Sequence, residues 1–180
     1  MFRELSARGV HVRILTNSLA STDSPLVHIG YSRYRVELLK LGVELHEVRP
    51  KAGQQPRRLR AYRGSQTSSQ ASLHAKALVI DRRTVFIGSM NLDGRSKKFN
   101  SELGLVIRSA EIARQITGLF DDIAADDSYR LALAGRAKNK LEWTSREGTD
   151  LKTWHTDPDT TTMSRVFIDL LAPFAPEELL

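Results

Sequence analysis

His74 and Lys76 stand two residues apart at the head of the run His74-Ala-Lys76-Ala-Leu-Val-Ile-Asp81-Arg-Arg-Thr-Val-Phe-Ile-Gly88-Ser89-Met-Asn91. On a strand, residues i and i+2 project from one face, so this imidazole and this ammonium can reach the same bound phosphate. An imidazole nitrogen is a capable nucleophile at neutral pH, and a flanking ammonium offsets the negative charge that would repel it. Ser89 and Asn91 are again two apart, and they follow Gly88, where a missing side chain lets backbone approach a ligand. Their hydroxyl and amide are candidate donors to non-bridging phosphate oxygens. A nucleophilic histidine also needs an acceptor on its other ring nitrogen. Glu102 is the first candidate for that task and Asp81 the second, Asp81 being equally suited to shaping a turn.

The elements that must position these groups follow from periodicity. Residues 2–8 read as the end of a helix, and Val10–Leu15 alternates as a strand. A Ser/Asn/Thr/Asp loop from Asn17 to Ser24 ends at Pro25, a helix-start signal. Apolar residues Leu26, Ile29, Tyr34, Leu38 and Leu41 then recur at helical spacing up to Gly42. Val43–Val48 is the next strand. A long polar connection carries Arg49, Lys51, Arg57, Arg58, Arg60 and Arg63, either a solvated loop or a phosphate-binding one. Leu73–Ile80 and Thr84–Ile87 flank Asp81-Arg82-Arg83 as a hairpin. Glu102–Arg108 predicts a strand and Glu111–Ala124 a helix. Short strands follow at Tyr129–Leu133 and Leu141–Thr144, then a polar linker to Thr162 and an apolar stretch, Val166–Leu171. Strands alternating with helices predict an α/β fold, a mixed sheet flanked by helices on both faces.

The run fits H-x-K-x4-D-x6-G-S-x-N at all six fixed positions. At ordinary residue frequencies this arises by accident in only about a few chains per million, so the match carries information. It resembles the phospholipase D superfamily, named for this His-Lys-Asp motif. The block Asn91-Leu92-Asp93-Gly94-Arg95-Ser96 with Asn100-Ser101-Glu102-Leu103-Gly104 is similar to the one that follows the motif in bacterial cardiolipin synthases. Gly30-Tyr31-Ser32-Arg33-Tyr34 through Gly42-Val43-Glu44-Leu45 is similar to their preceding helix and strand.

The resemblance covers residues 1–125 as a catalytic domain of the C-terminal-half type. Residues 126–180 are left as an extension packing on that domain or lying at a membrane surface. What the resemblance implies is a phosphatidyltransferase or phosphodiesterase using His74, Lys76, Asp81 and Glu102 in catalysis, with Gly88, Ser89, Asn91 and Arg95 on the phosphate. It implies no cofactor and no metal. Family sites combine two such motifs, and this chain has one. The second comes from a preceding segment of a longer parent or from a homodimer; the opening in mid-architecture favours the former.

Composition sets the outer bounds. The chain has 180 residues, 41% apolar and 27% charged, as one globular domain requires. It holds 27 Lys+Arg against 21 Asp+Glu, a net +6 that favours anionic partners without choosing among them; the resemblance of the block Asn91–Gly104 implies phospholipid ahead of nucleic acid. There is no cysteine, which removes thiol nucleophiles and Cys-type zinc sites. No run approaches the ~20 apolar residues of a spanning helix; the resemblance implies a peripheral location on the cytoplasmic face of a bacterial inner membrane. His11, His28, His46 and His155 lack a lysine two residues on and read as surface or half-buried residues, and Tyr31, Tyr34, Trp143 and Trp154 as packing residues. Asn17, Ser18 and Asp23 lie in a segment resembling a family loop near the site. The competing readings are a nuclease or other phosphodiesterase acting as a homodimer, and an inactive half-domain.

Overall fold

The computed structural model describes residues 1–50, 73–89, 101–135 and 139–172. Helix α1 (Phe2–Ala7) leads into strand β1 (Arg13–Asn17), which lies parallel to β2 (Glu44–Val48). Parallel neighbours need a crossover, and α2 (Pro25–Ser32) and α3 (Arg35–Lys40) supply it. The expected single helix is thus broken at residues 33–34. The Ser32 hydroxyl donates back to the Ile29 carbonyl at 2.9 Å, competing with the helical ladder where it breaks.

Strands β6 (Ser128–Leu133), β7 (Leu141–Glu147) and β8 (Asp150–Trp154) continue the same sheet as an antiparallel meander, in the order β1-β2-β6-β7-β8. The segment expected as an extension therefore provides three of its five strands. Strand β8 was expected as polar linker; it is an exposed edge whose Asp-Leu-Lys-Thr-Trp sequence shows little apolar alternation.

The fold is α/β with a mixed sheet, and the motif strands stand apart from that sheet. Strands β3 (Ala77–Ile80), β4 (Thr84–Gly88) and β5 (Gly104–Arg108) form their own three-stranded antiparallel sheet. Helix α4 (Ala110–Asp126), capped by the Ser109 hydroxyl accepting from Ile112 N–H, contacts β3 and β4 of this sheet and β2, β6 and β7 of the other. Helix α5 (Thr162–Leu171), read from sequence only as an apolar stretch, packs on α2.

The main core joins Leu45, Tyr129, Leu131 and Trp143, with Ile14, Tyr31 and Leu39 against them. A second cluster, Ile29 and Ile168 with Leu19 and Leu171, seats α5 on α2. Glu47 is fully buried and fully engaged: Arg35 pairs with it at 2.7 Å, Tyr31 Oη and Trp143 Nε1 each donate at 3.0 Å. Arg35 also reaches Asp157 at 2.9 Å and His28 Nε2 at 2.8 Å. Burial works against the Arg35 charge, but Glu47 and Asp157 together hold its pKa above the usual arginine value. His28 and His46, expected at the surface or half-buried, are both buried. His46 hydrogen-bonds Ser128 Oγ at 3.0 Å and Glu44 at 2.9 Å, which is how a buried imidazole is satisfied.

Candidate active site

The hairpin β3–β4 turns through Asp81 and Arg82, both with positive φ (50° and 53°), closed by Arg83 N–H to the Ile80 carbonyl at 3.1 Å. Two consecutive left-handed residues make the twist a tight antiparallel hairpin needs. Asp81 therefore sits at the far end of the hairpin from His74. Asp81 lies five positions beyond Lys76, on the order of 15 Å along mostly extended chain, and its place is in the turn.

At the other end of β3 the ladder runs one residue further, with Gly88 N–H donating to the Lys76 carbonyl at 3.0 Å. His74 is exposed, and Lys76 Nζ lies 2.9 Å from His74 Nε2. A lysine ammonium has only donors, so Nε2 is the acceptor and the neutral ring carries its proton on Nδ1. The spacing thus brings together the pair it was expected to bring together, with the Nε2 lone pair directed at the ammonium.

Ser89 and Glu102 meet across the end of β4 and the start of β5. Ser89 Oγ donates to Glu102 Oε2 at 2.5 Å and accepts from Leu103 N–H at 3.1 Å, while Ser89 N–H donates to the Leu103 carbonyl at 2.9 Å. The expected phosphate donor is thus bonded to the expected orienting carboxylate. Asn91 and Arg95 lie outside the described residues.

Gly88 is closely packed by its neighbours. Its missing side chain makes room for the protein itself: a Cβ there would lie 2.6 Å from the Leu103 carbonyl oxygen and 3.0 Å from Phe86 Cζ. Its cross-strand partner Gly104 is covered in the same way, with Phe86 Cε2 only 2.3 Å from a would-be Cβ. The Phe86 ring lies over both glycines, so each is a packing position.

A contact that sequence reasoning did not identify joins the five-stranded sheet to the segment that leads into β3. Asn17, the last residue of β1, donates from Nδ2 to the Leu73 carbonyl at 2.9 Å and accepts at Oδ1 from Leu73 N–H at 2.8 Å. Nothing in the sequence links residues 56 apart, although the asparagine after an alternating strand was a visible signal. Among the described residues no group of three or more His, Asp or Glu side chains is arranged to hold a metal ion, and no helix is long and apolar enough to cross a membrane.

Residues 1–124 match the family model described as cardiolipin synthase, PLD-like domain. The chain is 40% identical over 173 residues to cardiolipin synthase C of Escherichia coli strain K12, covering 96% of this chain and 36% of that protein. It is 30% identical over 166 residues to an uncharacterized protein of Helicobacter pylori strain 26695, covering 92% and 31%. Cardiolipin synthase A of Pseudomonas aeruginosa strain PAO1 is 28% identical over 114 residues, covering 63% and 19%. The chain thus spans about a third of the length of the first two of these relatives. No solved structure matches it. With the hairpin, the His-Lys pair and the extent of the family match all in agreement, the chain belongs to the cardiolipin synthase family with a phospholipase D-like domain.

Proposed function

We propose that this chain provides one half of a phosphatidyltransferase site that makes cardiolipin through a phosphohistidine. The observation that carries the reading is the 2.9 Å contact between Lys76 Nζ and the exposed His74 Nε2. An arriving phosphodiester competes for the ammonium, which swings to a phosphate oxygen and frees the Nε2 lone pair. His74 Nε2 then forms a bond to phosphorus as the bond to the departing alcohol breaks. The alcohol oxygen takes its proton from a second histidine acting as general acid. In the second step an acceptor alcohol attacks the phosphohistidine, returns its proton to that second histidine, and regenerates His74. Ser89 and Asn91 serve as donors to the phosphate and Glu102 as the carboxylate that orients His74; Arg95 adds positive charge.

The second motif comes from another part of a longer parent chain or from a second copy. That the matched relatives are about three times as long as this chain favours the former. The substrates are phosphatidylglycerol or phosphatidylethanolamine, as the motif resemblance implies; relatives named cardiolipin synthase support the product. A peripheral position at the cytoplasmic face of the bacterial inner membrane accompanies this reading. It is supported by the stripe Met163, Val166, Phe167 and Leu170 on α5, each more than half exposed at i, i+3, i+4, i+7 spacing. The test is His74→Ala in the complete protein, assayed for cardiolipin in phosphatidylglycerol vesicles. Product formation should disappear, and appreciable residual turnover would remove His74 from the nucleophile's role. Turnover of DNA with no turnover of lipid would assign the site to a nuclease.

A further inference from the structure

His74 lies between two anchors. On its C-terminal side, Lys76 is tied to Gly88 by the first bond of the β3–β4 ladder. On its N-terminal side, the carboxamide of Asn17 grips both polar groups of Leu73. That carboxamide presents one donor and one acceptor in a plane, as a peptide group does, so it stands in for a strand neighbour beside Leu73. The carbonyl it holds is the one in the peptide bond to His74.

Asn17 is itself built in. Its backbone pairs with Val48 in the parallel ladder. The next residue, Ser18, is buried and donates its N–H to Ser21 Oγ at 3.0 Å, and that hydroxyl donates to the Val48 carbonyl at 3.0 Å. A continuous path of short hydrogen bonds therefore runs from the end of β2 through Ser21 and Ser18 to Asn17, and from Asn17 to the residue before the imidazole. We infer that Asn17 is a positioning residue that fixes His74 against the five-stranded sheet. The inference rests on the nucleophile reading of His74 given above. A nucleophile displaced by about 1 Å can lose on the order of a hundredfold in rate, so an anchor one residue away from it matters to function as well as to folding.

The test uses the 180-residue chain with orthovanadate as a phosphate-like probe, alongside amide hydrogen exchange. Asn17→Leu keeps the side chain's size and removes both bonds. Exchange at the amides of residues 73–76 should rise about tenfold or more while the β6–β7 hairpin is unchanged, and orthovanadate affinity should fall about tenfold. Asn17→Asp provides the conservative control. At pH 8 its carboxylate still accepts from Leu73 N–H but opposes the Leu73 carbonyl, so exchange should lie between wild type and Asn17→Leu. On acidification a protonated carboxyl can donate again, so protection at Leu73 should return along a titration that wild type and Asn17→Leu lack. Unchanged exchange in Asn17→Leu overturns the inference. So does raised exchange with orthovanadate affinity still within twofold of wild type, provided His74→Ala has weakened binding. If wild type binds orthovanadate and His74→Ala binds it as tightly, the nucleophile reading fails first and carries this inference with it; if wild type does not bind it, the exchange at residues 73–76 alone decides the inference.

Discussion

Replacing Gly88 and Gly104 separately by alanine probes the packing beneath the motif, because the two new methyl groups meet different obstacles. At Gly88 the Cβ would sit 2.6 Å from the carbonyl oxygen of Leu103. That oxygen also accepts from Ser89 N–H, so it can retreat only by opening the junction between β4 and β5. At Gly104 the obstacle is a side chain, with Phe86 Cε2 at 2.3 Å and Cζ at 2.5 Å. Overpacking of this kind costs about 1–3 kcal/mol, which for a chain of this length lowers the melting temperature by roughly 2–4 °C per kcal/mol. Each single variant should therefore melt about 4–8 °C lower, taking the middle of that range.

The two variants separate when combined with Phe86→Leu, which removes the ring. Gly104→Ala/Phe86→Leu should recover about 1–2 kcal/mol relative to the sum of the single changes, whereas Gly88→Ala/Phe86→Leu should recover much less, since the Leu103 carbonyl remains. Urea unfolding followed by circular dichroism gives the four free energies each cycle needs. Gly88→Ala as stable as wild type, or rescued by Phe86→Leu as fully as Gly104→Ala, would refute the assignment of Gly88 to strand packing.

The buried pair Arg35–Glu47 should be costly to break from one side: Arg35→Met removes about 3–5 kcal/mol in urea unfolding, and adding Glu47→Leu restores part of it. A double variant less stable than the Arg35→Met single change would contradict this. Acid should weaken the fold in two stages. Burial pushes the His46 imidazole down despite the opposing pull of Glu44, so the ring stays neutral in the fold. The unfolded chain takes up that proton below about pH 6.5, and stability falls as pH drops through the interval between the two values. Burial alone would raise the Asp157 carboxyl, but contact with His28 and the Arg35 charge more than offset this and hold it below its usual value. Its contribution is present above about pH 4 and is lost as pH falls through the folded value. A urea midpoint constant from pH 7 to 4 would show that His46 takes no part.

Local signals explain what could be read from the sequence. The alternation in Val43–Val48, the turn at Asp81-Arg82-Arg83 and the periodicity of Glu111–Ala124 depend on neighbours in the chain, and each element appears within a few residues of its expected position. The His74–Lys76 contact was legible from its two-residue spacing, although β3 begins only at Ala77 and both residues lie just before the strand expected to carry them. Features set by distant partners were hidden. The Asn17 bonds to Leu73 span 56 residues, and the Phe86 ring over Gly104 depends on cross-strand register. The separation of the motif strands into a sheet of their own is likewise decided by pairing, which composition does not encode. Strand β8 escaped notice because an exposed edge has no need of an apolar face.

A hydroxyl group has a single hydrogen. In Ser89 it points to Glu102, while the oxygen's lone pair takes the Leu103 amide. Any anion that draws on this hydroxyl must win the hydrogen from the carboxylate, and Glu102 then loses a hydrogen-bond donor as negative charge arrives. On the function proposed above, the one hydrogen of Ser89 therefore couples the solvation of Glu102 to the filling of the phosphate site.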